Sequence, residues 1–360
     1  MLKTYPTIIG SGSYIPTNRV KNEEFLNNEF FGPDGEKLDK CNEEIVGQFE
    51  KITGIYERRY VTDDQVASDI ALLAAQEAIV SADIDPETLD CIIFAHNFGD
   101  IQENNRRSEF VPSLASRVKS QLGIKNPNAI AYDIIFGCPG WLQGVIQAYQ
   151  TIHADNKKRA LIVGAETLSR ITDPHDRDSM IYADGAGAVI IDMVESEEPV
   201  GILSHGEKTY SDELAYLLTM GPSNKPEQAN GNLYLKMQGR TLYENVLKVV
   251  PKAIKESIDQ AGLSIGDIKK VLVHQANNKM DEAILSRLFR EYGSRDIPEH
   301  IMPMTISWLG NSSVATLPTL YDLLSRGELE NHEISPGDVI VFASVGAGVN
   351  VNSMVYKVPA

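Results

Sequence analysis

Residues 84–94, Ile84-Asp-Pro-Glu-Thr-Leu-Asp-Cys-Ile-Ile-Phe94, predict the end of a helix, a turn and then a buried strand. The same pattern returns 179 residues later, in Leu263-Ser-Ile-Gly-Asp-Ile-Lys-Lys-Val-Leu-Val273. A second pair of predicted buried strands, at 159–164 and 338–343, has the same spacing. Because two unrelated pairs share one spacing, the sequence indicates an internal duplication.

The duplication predicts two similar α/β halves, residues 1–195 and 196–360. An amphipathic helix precedes each copy of the first strand, at 66–82 and 242–261. Helices that alternate with short strands rich in Val and Ile favour parallel or mixed sheets covered by helices. The alternative is that the paired strands only look alike, as buried strands do.

The composition is that of an ordinary globular protein, with 42% hydrophobic and 23% charged residues among 360. A net charge of −17 argues against binding to nucleic acid, because little of the surface could neutralise phosphates. No apolar run reaches the length of a membrane span and no signal peptide is expected. Three scattered cysteines favour reduced thiols in a cytoplasm, and without a C-x-x-C pair no zinc site is expected.

Cys138 is the cysteine whose surroundings suggest chemistry. It follows an apolar segment, 131–137, and precedes Pro139, Gly140 and a helical pattern that runs from 141 to 154. A thiol at the start of a helix lies at the positive end of the helix dipole, which lowers its pKa. The alternative is a small residue of the core. Two other cysteines have weaker contexts: Cys91 inside a strand and Cys41 in a polar loop.

A nucleophilic thiol needs a base or a hydrogen-bonding partner. His274 ends a predicted strand and opens the polar sequence His-Gln-Ala-Asn, where α/β folds place their sites; His96 ends a strand in the first half, so position alone does not choose between them. Gly310-Asn-Ser-Ser313 is typical of a turn and helix cap. Val345-Gly-Ala-Gly-Val349 predicts a turn of small residues that a substrate can approach closely.

Together these segments resemble the β-ketoacyl-acyl-carrier-protein synthase III family of the thiolase superfamily, over nearly the whole chain. The motifs that carry the resemblance are Gly137-Cys-Pro-Gly140, Tyr182-Ala-Asp-Gly-Ala-Gly187, His274-Gln-Ala-Asn277, Gly310-Asn-Ser-Ser313, Gly346-Ala-Gly348, Gly10-Ser-Gly-Ser-Tyr-Ile-Pro16 and Thr53-Gly-Ile-Tyr-Glu-Arg-Arg59. The resemblance implies a thiolase-like α/β fold, a duplicated five-layer α-β-α-β-α sandwich, which agrees with the repeat.

The resemblance also implies a catalytic triad of Cys138, His274 and Asn311. Cys138 would accept an acyl group from acyl-CoA or acyl carrier protein, and malonyl-acyl carrier protein would then lose carbon dioxide and attack the acyl-cysteine. His274 and Asn311 would donate hydrogen bonds to the enolate oxygen, and the backbone N–H groups of Cys138, Ala347 and Gly348 would form the other oxyanion hole. No metal or other cofactor is required by this scheme.

Further residues are implied by the same resemblance. Binding of CoA or pantetheine is expected of Arg177, Met237, Gly239 and Asn277, and an acyl pocket of Trp141, Tyr182, Val345 and Val111. Carrier-protein docking is expected at Lys248, Lys252 and Lys279, although these lysines also suit ordinary solvated helix faces. A homodimer in cytoplasmic fatty acid biosynthesis is expected, in which the region 110–112 of one subunit lines the pocket of the other.

Several positions depart from the family pattern. Ala347 replaces the middle glycine of a Gly-Gly-Gly turn, and Pro139 follows the nucleophile where Ala or Ser is common. Gln48 and Ile52 stand where a Trp and an Arg help to clamp the CoA adenine in well-known members, and the segment 27–44 is longer than usual. These departures leave open whether acyl-CoA or acyl carrier protein is the acyl donor.

Neighbouring functions differ in the residues they need. A thiolase needs a second cysteine near 345–349, and hydroxymethylglutaryl-CoA synthase needs a general-acid Glu within 94–100; neither is present, so both are disfavoured. Plant-type polyketide synthases share the triad and stay open. So does a related enzyme of secondary metabolism that couples an acyl group to a β-keto acid, as in resorcinol or quinolone pathways. A non-catalytic partner subunit is the alternative from another class.

Overall fold

A computed structural model describes residues 2–154, 158–228 and 231–360. The strands in chain order are β1 (Lys3–Tyr14), β2 (Asn18–Lys21), β3 (Glu57–Tyr60), β4 (Cys91–Ala95), β5 (Asp100–Gln102), β6 (Asn105–Glu109), β7 (Ile130–Ile134), β8 (Ala160–Thr167), β9 (Asp184–Ser196), β10 (Gly201–Thr209), β11 (Leu218–Gly221), β12 (Tyr234–Met237), β13 (Ile268–Val273), β14 (Val339–Gly346) and β15 (Asn350–Lys357). The α-helices are α1 (Asn42–Thr53), α2 (Ala67–Ser81), α3 (Leu114–Gln121), α4 (Gly140–Ala154), α5 (Gly239–Gln260), α6 (Asn278–Glu291), α7 (Ile306–Leu309) and α8 (Thr316–Ser325).

Two mixed sheets form the centre of the fold and repeat one strand order. The first sheet has the order β1-β9-β8-β4-β7 and the second has the order β10-β15-β14-β13. The strand pairs β4 with β8 and β13 with β14 are parallel, and in each sheet the next two pairs are antiparallel. The first sheet has one further strand, β7, which pairs parallel with the other side of β4. The strands that recur at a spacing of 179 residues therefore occupy equivalent places in the two sheets. The division into domains 1–195 and 196–360 stays a prediction.

The layers follow from which faces are apolar. Side chains of α4 and α8 share one core with the facing sides of both sheets, so these two helices lie between the sheets. The helices α2 and α3 cover the outer face of the first sheet, and α5 and α6 cover the outer face of the second. The strands β8 and β14 are buried along their whole length, as expected for strands covered on both faces. The prediction of a five-layer α-β-α-β-α sandwich is confirmed.

Close packing of the middle layer explains the composition of α4, which is apolar almost all round. At Gly144 a β-carbon would lie 2.9 Å from a methyl group of Ile162 and 3.2 Å from one of Ile93. A larger residue would push the helix away from the first sheet. None of the helices within the described ranges has the length and apolar character needed to cross a membrane.

The two sheets are also joined by polar contacts. The Tyr356 hydroxyl on β15 accepts a hydrogen bond from the backbone N–H of Ile8 on β1 at 2.9 Å. Ser11 and Ser13 on β1 donate to the buried carboxylate of Asp322 on α8, at 2.8 and 2.6 Å. Buried polar groups are costly unless they are paired, so these contacts fix the register of β1 against the middle layer.

Candidate active site

One cavity of about 1070 Å³ brings the motifs of the two halves together. Cys138 lies in the loop between β7 and α4, and His274 follows directly after β13. Asn311 follows α7, and the turn 346–348 begins at the end of β14. All four line the cavity, although Cys138 and the turn 346–348 are more than two hundred residues apart in the sequence.

Cys138 lies two residues before the first residue of α4. The chain turns sharply here because Gly137 has a φ of +68°, a left-handed conformation that favours glycine. The surrounding protein raises the pKa of the Cys138 thiol to about 11, because burial disfavours the thiolate. Two features act in the opposite direction: the helix N-terminus and the Ser313 hydroxyl, which donates a hydrogen bond to Cys138 Sγ at 3.3 Å.

The turn 346–348 packs directly on the nucleophile loop. A β-carbon on Gly346 would collide with the backbone nitrogen of Cys138 and would lie 2.8 Å from Cδ of Pro139. A β-carbon on Gly137 would lie 2.7 Å from the backbone nitrogen of Ala347. Contacts this close exclude side chains at Gly137 and Gly346 but not at 347, which explains why Ala is accommodated there. They also bring the backbone N–H groups of the two segments to one place.

His274 is buried at the end of β13, where its backbone N–H donates to Ala343 O at 2.8 Å. Burial lowers the pKa of its imidazole to about 4, so the ring is neutral near pH 7. Its Nδ1 has no hydrogen-bond partner within the described part of the chain. A neutral imidazole donates one hydrogen bond, which suits the stabilisation of an oxyanion without a prior proton transfer.

Asn311 is held by its backbone from both sides. Its N–H donates to Ile181 O at 3.0 Å, and its carbonyl oxygen accepts from the N–H of Ala183 at 2.8 Å. The side-chain oxygen accepts from the N–H of Ser313 at 2.9 Å. Because the donor at that contact is a backbone N–H, the atom facing it is the amide oxygen, and the NH₂ group is the end left for a ligand.

A buried arginine, Arg58, packs against the loops that hold Asn311. Arg58 is fully buried and donates hydrogen bonds to Met180 O at 3.0 Å and to the Asn22 side chain at 2.6 Å. A β-carbon on Gly310, whose φ is +71°, would lie 2.8 Å from Cβ of Arg58. The motif at 53–59 therefore acts as a scaffold that fixes the loops on either side of Asn311.

Most of the residues expected to bind substrate line the cavity. They are Arg177, Met237, Gly239, Asn277, Tyr182, Val345, Ala347 and Gly348. Arg177 is exposed at the mouth, and Asn277 caps the N-terminus of α6 by accepting a hydrogen bond from Met280 N at 3.2 Å. The Tyr182 ring is buried, and its hydroxyl lies 4.0 Å from the sulfur of Met237.

Two of the expected pocket residues lie elsewhere. Trp141 is fully buried in the core between the sheets, against Phe342, because α4 has a sheet on each side and turns no large side chain toward the cavity. The structure therefore does not place Trp141 in the acyl pocket, contrary to the prediction. Val111 is 89% exposed and is not among the described residues that line the cavity of this single chain.

The predicted docking lysines separate into two groups. Lys248 and Lys252 on α5 line a surface cleft of about 470 Å³ together with Arg287 and Arg290 on α6. Lys279 is exposed at the start of α6, outside that cleft. We refer to Lys248, Lys252, Arg287 and Arg290 as the basic cleft.

Part of the long segment 27–44 lines the cavity. Phe31, Pro33 and Leu38 contribute apolar wall, and the N–H of Phe31 donates to His175 O at 2.8 Å. The Asn224 side chain donates to Phe31 O at 3.0 Å, which ties the segment to the opposite rim. Gln48 and Ile52 also line the mouth. They leave this part of the rim uncharged.

Two polar residues next to the nucleophile were not singled out in the sequence. Glu166, near the end of β8, is buried, and its Oε1 accepts hydrogen bonds from the backbone and side-chain nitrogens of Asn97 at 2.5 and 2.8 Å. Burial raises the pKa of Glu166 to about 7. The available signal was a charged residue inside a strand that is otherwise apolar.

Within the described ranges no group of three or more His, Cys, Asp or Glu side chains is placed to hold a metal ion.

Comparisons with known proteins agree with this architecture. Residues 132–209 match the family model of 3-oxoacyl-[acyl-carrier-protein] synthase III, and residues 258–358 match the model of its C-terminal part. The structure is similar to that of 3-oxoacyl-[acyl-carrier-protein] synthase III from Aquifex aeolicus VF5, with 28% identity, 98% of this chain and 99% of that chain covered, and a TM-score of 0.78.

Two further solved structures extend the comparison. The synthase III from Pseudomonas aeruginosa PAO1 is 25% identical, with 99% of each chain covered and a TM-score of 0.80. The priming β-ketosynthase of the R1128 polyketide pathway, at 24% identity, covers 99% of this chain and 96% of its own and shares the fold with a TM-score of 0.80. The two family models fall on the segments that carry Cys138 and His274 with Asn311. This chain therefore belongs to the 3-oxoacyl-acyl-carrier-protein synthase III family of the thiolase superfamily.

Proposed function

We propose that this protein is an acyltransferase of the 3-oxoacyl-acyl-carrier-protein synthase III type, which condenses an acyl group with malonyl-acyl carrier protein. The observation that carries the proposal is that Cys138, His274, Asn311 and the turn 346–348 line one cavity. A thiol at a helix start, two neutral side-chain donors and a cluster of backbone N–H groups are the parts that thioester condensation needs.

The first step is transfer of the acyl group to Cys138. Its Sγ attacks the thioester carbonyl, and the N–H groups of Cys138 and of Ala347 or Gly348 donate hydrogen bonds to the oxygen on which negative charge develops. The carbonyl re-forms as the bond to the donor thiol breaks. The proton of Cys138 leaves with that thiol, so acyl-Cys138 and a free CoA or pantetheine thiol are the products.

The second step is decarboxylative condensation. Malonyl-acyl carrier protein loses carbon dioxide, and the enolate oxygen takes hydrogen bonds from the neutral His274 ring and the Asn311 NH₂ group. The enolate carbon attacks the acyl-Cys138 carbonyl, and the Cys138 sulfur is released as the β-ketoacyl thioester forms. These steps use hydrogen-bond donors and one thiol, and the proposed mechanism assigns no role to a metal or redox cofactor.

The basic cleft is the proposed docking site for acyl carrier protein, which is an acidic partner. Lys248, Lys252 and Arg290 are exposed and form no ion pair within the described residues. The cleft has four basic residues and one acidic residue, Glu291, and this local excess of positive charge on a chain of net charge −17 suits recognition of an acidic protein. Acyl-CoA and acyl carrier protein both remain proposed acyl donors, the former supported by Arg177 at the mouth.

We also propose a homodimer in the cytoplasm, working in fatty acid biosynthesis. The strand β7 is an edge of the first sheet, and Ile130, Ile135 and Val111 beside it are 51%, 62% and 89% exposed. An exposed apolar edge strand favours pairing with a second sheet. A Val111 contributed by the partner subunit would then account for its position outside the cavity of a single chain.

A second candidate is an enzyme of secondary metabolism that couples an acyl group to a β-keto acid or another acceptor. The observation that favours it is the cavity volume of about 1070 Å³, just above the range of about 300–1,000 Å³ usual for ligand pockets. The segment 27–44 adds apolar wall to this cavity, which suits a larger acyl chain or acceptor.

The test is intact-mass measurement after incubation with a panel of acyl-CoAs and acyl carrier proteins. An acyl adduct that is lost in Cys138→Ser supports the nucleophile and ranks the donors. His274→Ala and Asn311→Ala should still form the adduct but should fail to release a β-ketoacyl product with malonyl-acyl carrier protein. An adduct that is released only by a β-keto acid favours the second candidate, and no adduct with any donor favours a non-catalytic subunit.

A further inference from the structure

A line of hydrogen bonds runs from a buried carboxylate to the nucleophile. Glu166 lies on β8, Asn97 follows β4, Ser313 follows Asn311, and Cys138 precedes α4. Glu166 and Ser313 are almost completely buried. Four separate segments of the chain thus place these polar residues in contact. Of the four residues, Cys138 is the one to which the proposed mechanism assigns chemistry.

Every hydrogen-bonding atom of the Asn97 side chain is engaged. Its oxygen accepts from Gly137 N at 2.8 Å, and its nitrogen donates to Glu166 Oε1 at 2.8 Å and to Ser313 Oγ at 3.3 Å. The orientation of the amide is fixed by its neighbours, because Gly137 N–H can only donate and an ionised Glu166 carboxylate can only accept. Asn97 therefore presents an N–H, not an oxygen, to Ser313.

The direction of the Ser313 hydroxyl follows from this. A lone pair of Oγ is occupied by the Asn97 N–H, and the hydroxyl proton is free to point at Cys138 Sγ, 3.3 Å away. Ser313 also has a φ of +53°, a backbone conformation that costs free energy for a residue other than glycine. Such strain persists where the surrounding contacts demand one side chain at one place.

We propose that Glu166, Asn97 and Ser313 form a positioning chain that directs the Ser313 hydroxyl proton at the sulfur of Cys138 and thereby stabilises its thiolate. The proposal rests on the proposed function, in which Cys138 is the nucleophile. Ser313 touches the reacting sulfur, whereas Asn97 and Glu166 act through it. Because the N–H of Ser313 also holds the Asn311 side chain, the same residue fixes two members of the proposed triad.

Within the positioning chain, Glu166 is a hydrogen-bond acceptor, but its negative charge disfavours the Cys138 thiolate. The ionised carboxylate raises the pKa of Cys138, and Glu166 itself faces His96, which lowers its pKa, and Asp184, which raises it. A glutamine in place of Glu166 would keep an oxygen for Asn97 and remove the charge. The two contributions can therefore be separated by substitution.

The test is the pH dependence of Cys138 alkylation by iodoacetamide, followed by mass measurement of the peptide that contains Cys138. Ser313→Gly and Ser313→Ala both remove the hydroxyl, but glycine is relaxed at a φ of +53° and alanine is not. We expect both variants to raise the midpoint of the alkylation profile by about one pH unit, which makes the reaction about tenfold slower at a fixed pH below the midpoint.

Two further variants test the direction of the chain. Asn97→Asp has the same shape but no N–H to donate, and it adds a negative charge, so it should raise the midpoint at least as far as the Ser313 variants do. Glu166→Gln should leave the midpoint unchanged or lower it, because the acceptor stays and the charge is lost. Melting temperatures are recorded for all variants, because a purely structural role would lower them without moving the midpoint.

An unchanged midpoint in both Ser313→Gly and Ser313→Ala overturns the proposal, whatever their melting temperatures. A rise in Ser313→Ala alone also overturns it, because the cause would then be the backbone and not the hydroxyl. Alkylation requires no acyl substrate. If the variants show the expected shifts of the midpoint but the wild-type protein accepts no acyl group, the result would contradict the proposed function while supporting the positioning chain.

Discussion

Gly137 and Ala347 lie so close that a β-carbon on Gly137 would be 2.7 Å from the backbone nitrogen of Ala347. Gly137 belongs to the loop that leads from the first sheet into α4, and Ala347 belongs to the turn that follows β14 of the second sheet. The proposed oxyanion hole is thus built at the contact between the two sheets. The nucleophile loop and the turn cannot move apart without opening it.

The first prediction concerns Gly346, whose φ of −161° is open to any residue. Gly346→Ala should push the turn away from Cys138, because a β-carbon would collide with the Cys138 backbone nitrogen. We expect acyl-enzyme formation to slow by about a hundredfold or more, since a displacement near 1 Å is enough for such a loss. Ala347→Gly is the matched control and should keep acylation within about twofold. Normal acylation of Gly346→Ala would contradict the proposed oxyanion hole.

The second prediction concerns the pH dependence of stability. Burial raises the pKa of Glu166 from 4.5 to about 7 in the folded protein. Between these values the folded state binds more protons than the unfolded state, so this group's contribution is lost as the pH rises through 7. Glu166→Gln should therefore gain stability relative to the wild type from pH 5 to pH 8, by up to about 3 kcal/mol.

Urea unfolding of both proteins at pH 5, 6, 7 and 8 measures this difference. The comparison between variant and wild type removes the opposite contribution of His274, whose depressed pKa makes the fold less stable as the pH falls from 6.5 toward 4. A difference that stays constant across the series would show that Glu166 keeps one charge state throughout.

The third prediction concerns the basic cleft. Lys252→Glu should raise the KM for malonyl-acyl carrier protein by about tenfold and leave alkylation of Cys138 unchanged, because the change lies on the surface of α5. The effect should shrink as salt is added. Lys279→Glu, outside the cleft, should have a smaller effect, and the exposed Lys269→Glu on β13 serves as the control. Equal losses in the three variants would rule out a localised docking site.

The fourth prediction concerns the exposed apolar edge beside β7. Val111→Asp should convert a dimer to a monomer in light scattering, because it places a charge where two apolar edges meet. Val80→Asp on α2 is the matched control, since Val80 is 79% exposed and Val111 is 89% exposed. If Val111 reaches the pocket of the partner subunit, its variant should also lose acylation at Cys138. A dimer that survives Val111→Asp would place the interface elsewhere.

The fold could be predicted because the duplication leaves a local signal. Buried parallel strands are short and continuously apolar, so the strands at 91–95 and 268–273 were visible in the sequence at their repeat spacing. Helix periodicity predicted residues 242–261 as a helix, and α5 spans Gly239–Gln260 even though it contains Pro251. Packing on the second sheet and on α6 outweighs the lost hydrogen bond at that proline.

The site could be predicted only in part, because some of its signals are not local. Cys138 stands out through the Gly and Pro residues that shape its turn. Asn97 and Glu166 lie 69 residues apart, and nothing in either segment shows that their side chains meet. Trp141 was misplaced for a related reason: the sequence marks α4 as apolar but does not show that a second sheet covers its other face.

The place of β15 in its sheet sets a limit on when the protein can become active during synthesis. This strand lies between β10 and β14, so it is an inner strand, yet the ribosome makes it after the other three. Until residues 350–357 emerge, β14 lacks one of its neighbours and the turn 346–348 has no fixed anchor on that side. The segment that carries Cys138 is thus made long before the chain can form the proposed oxyanion hole at the turn 346–348.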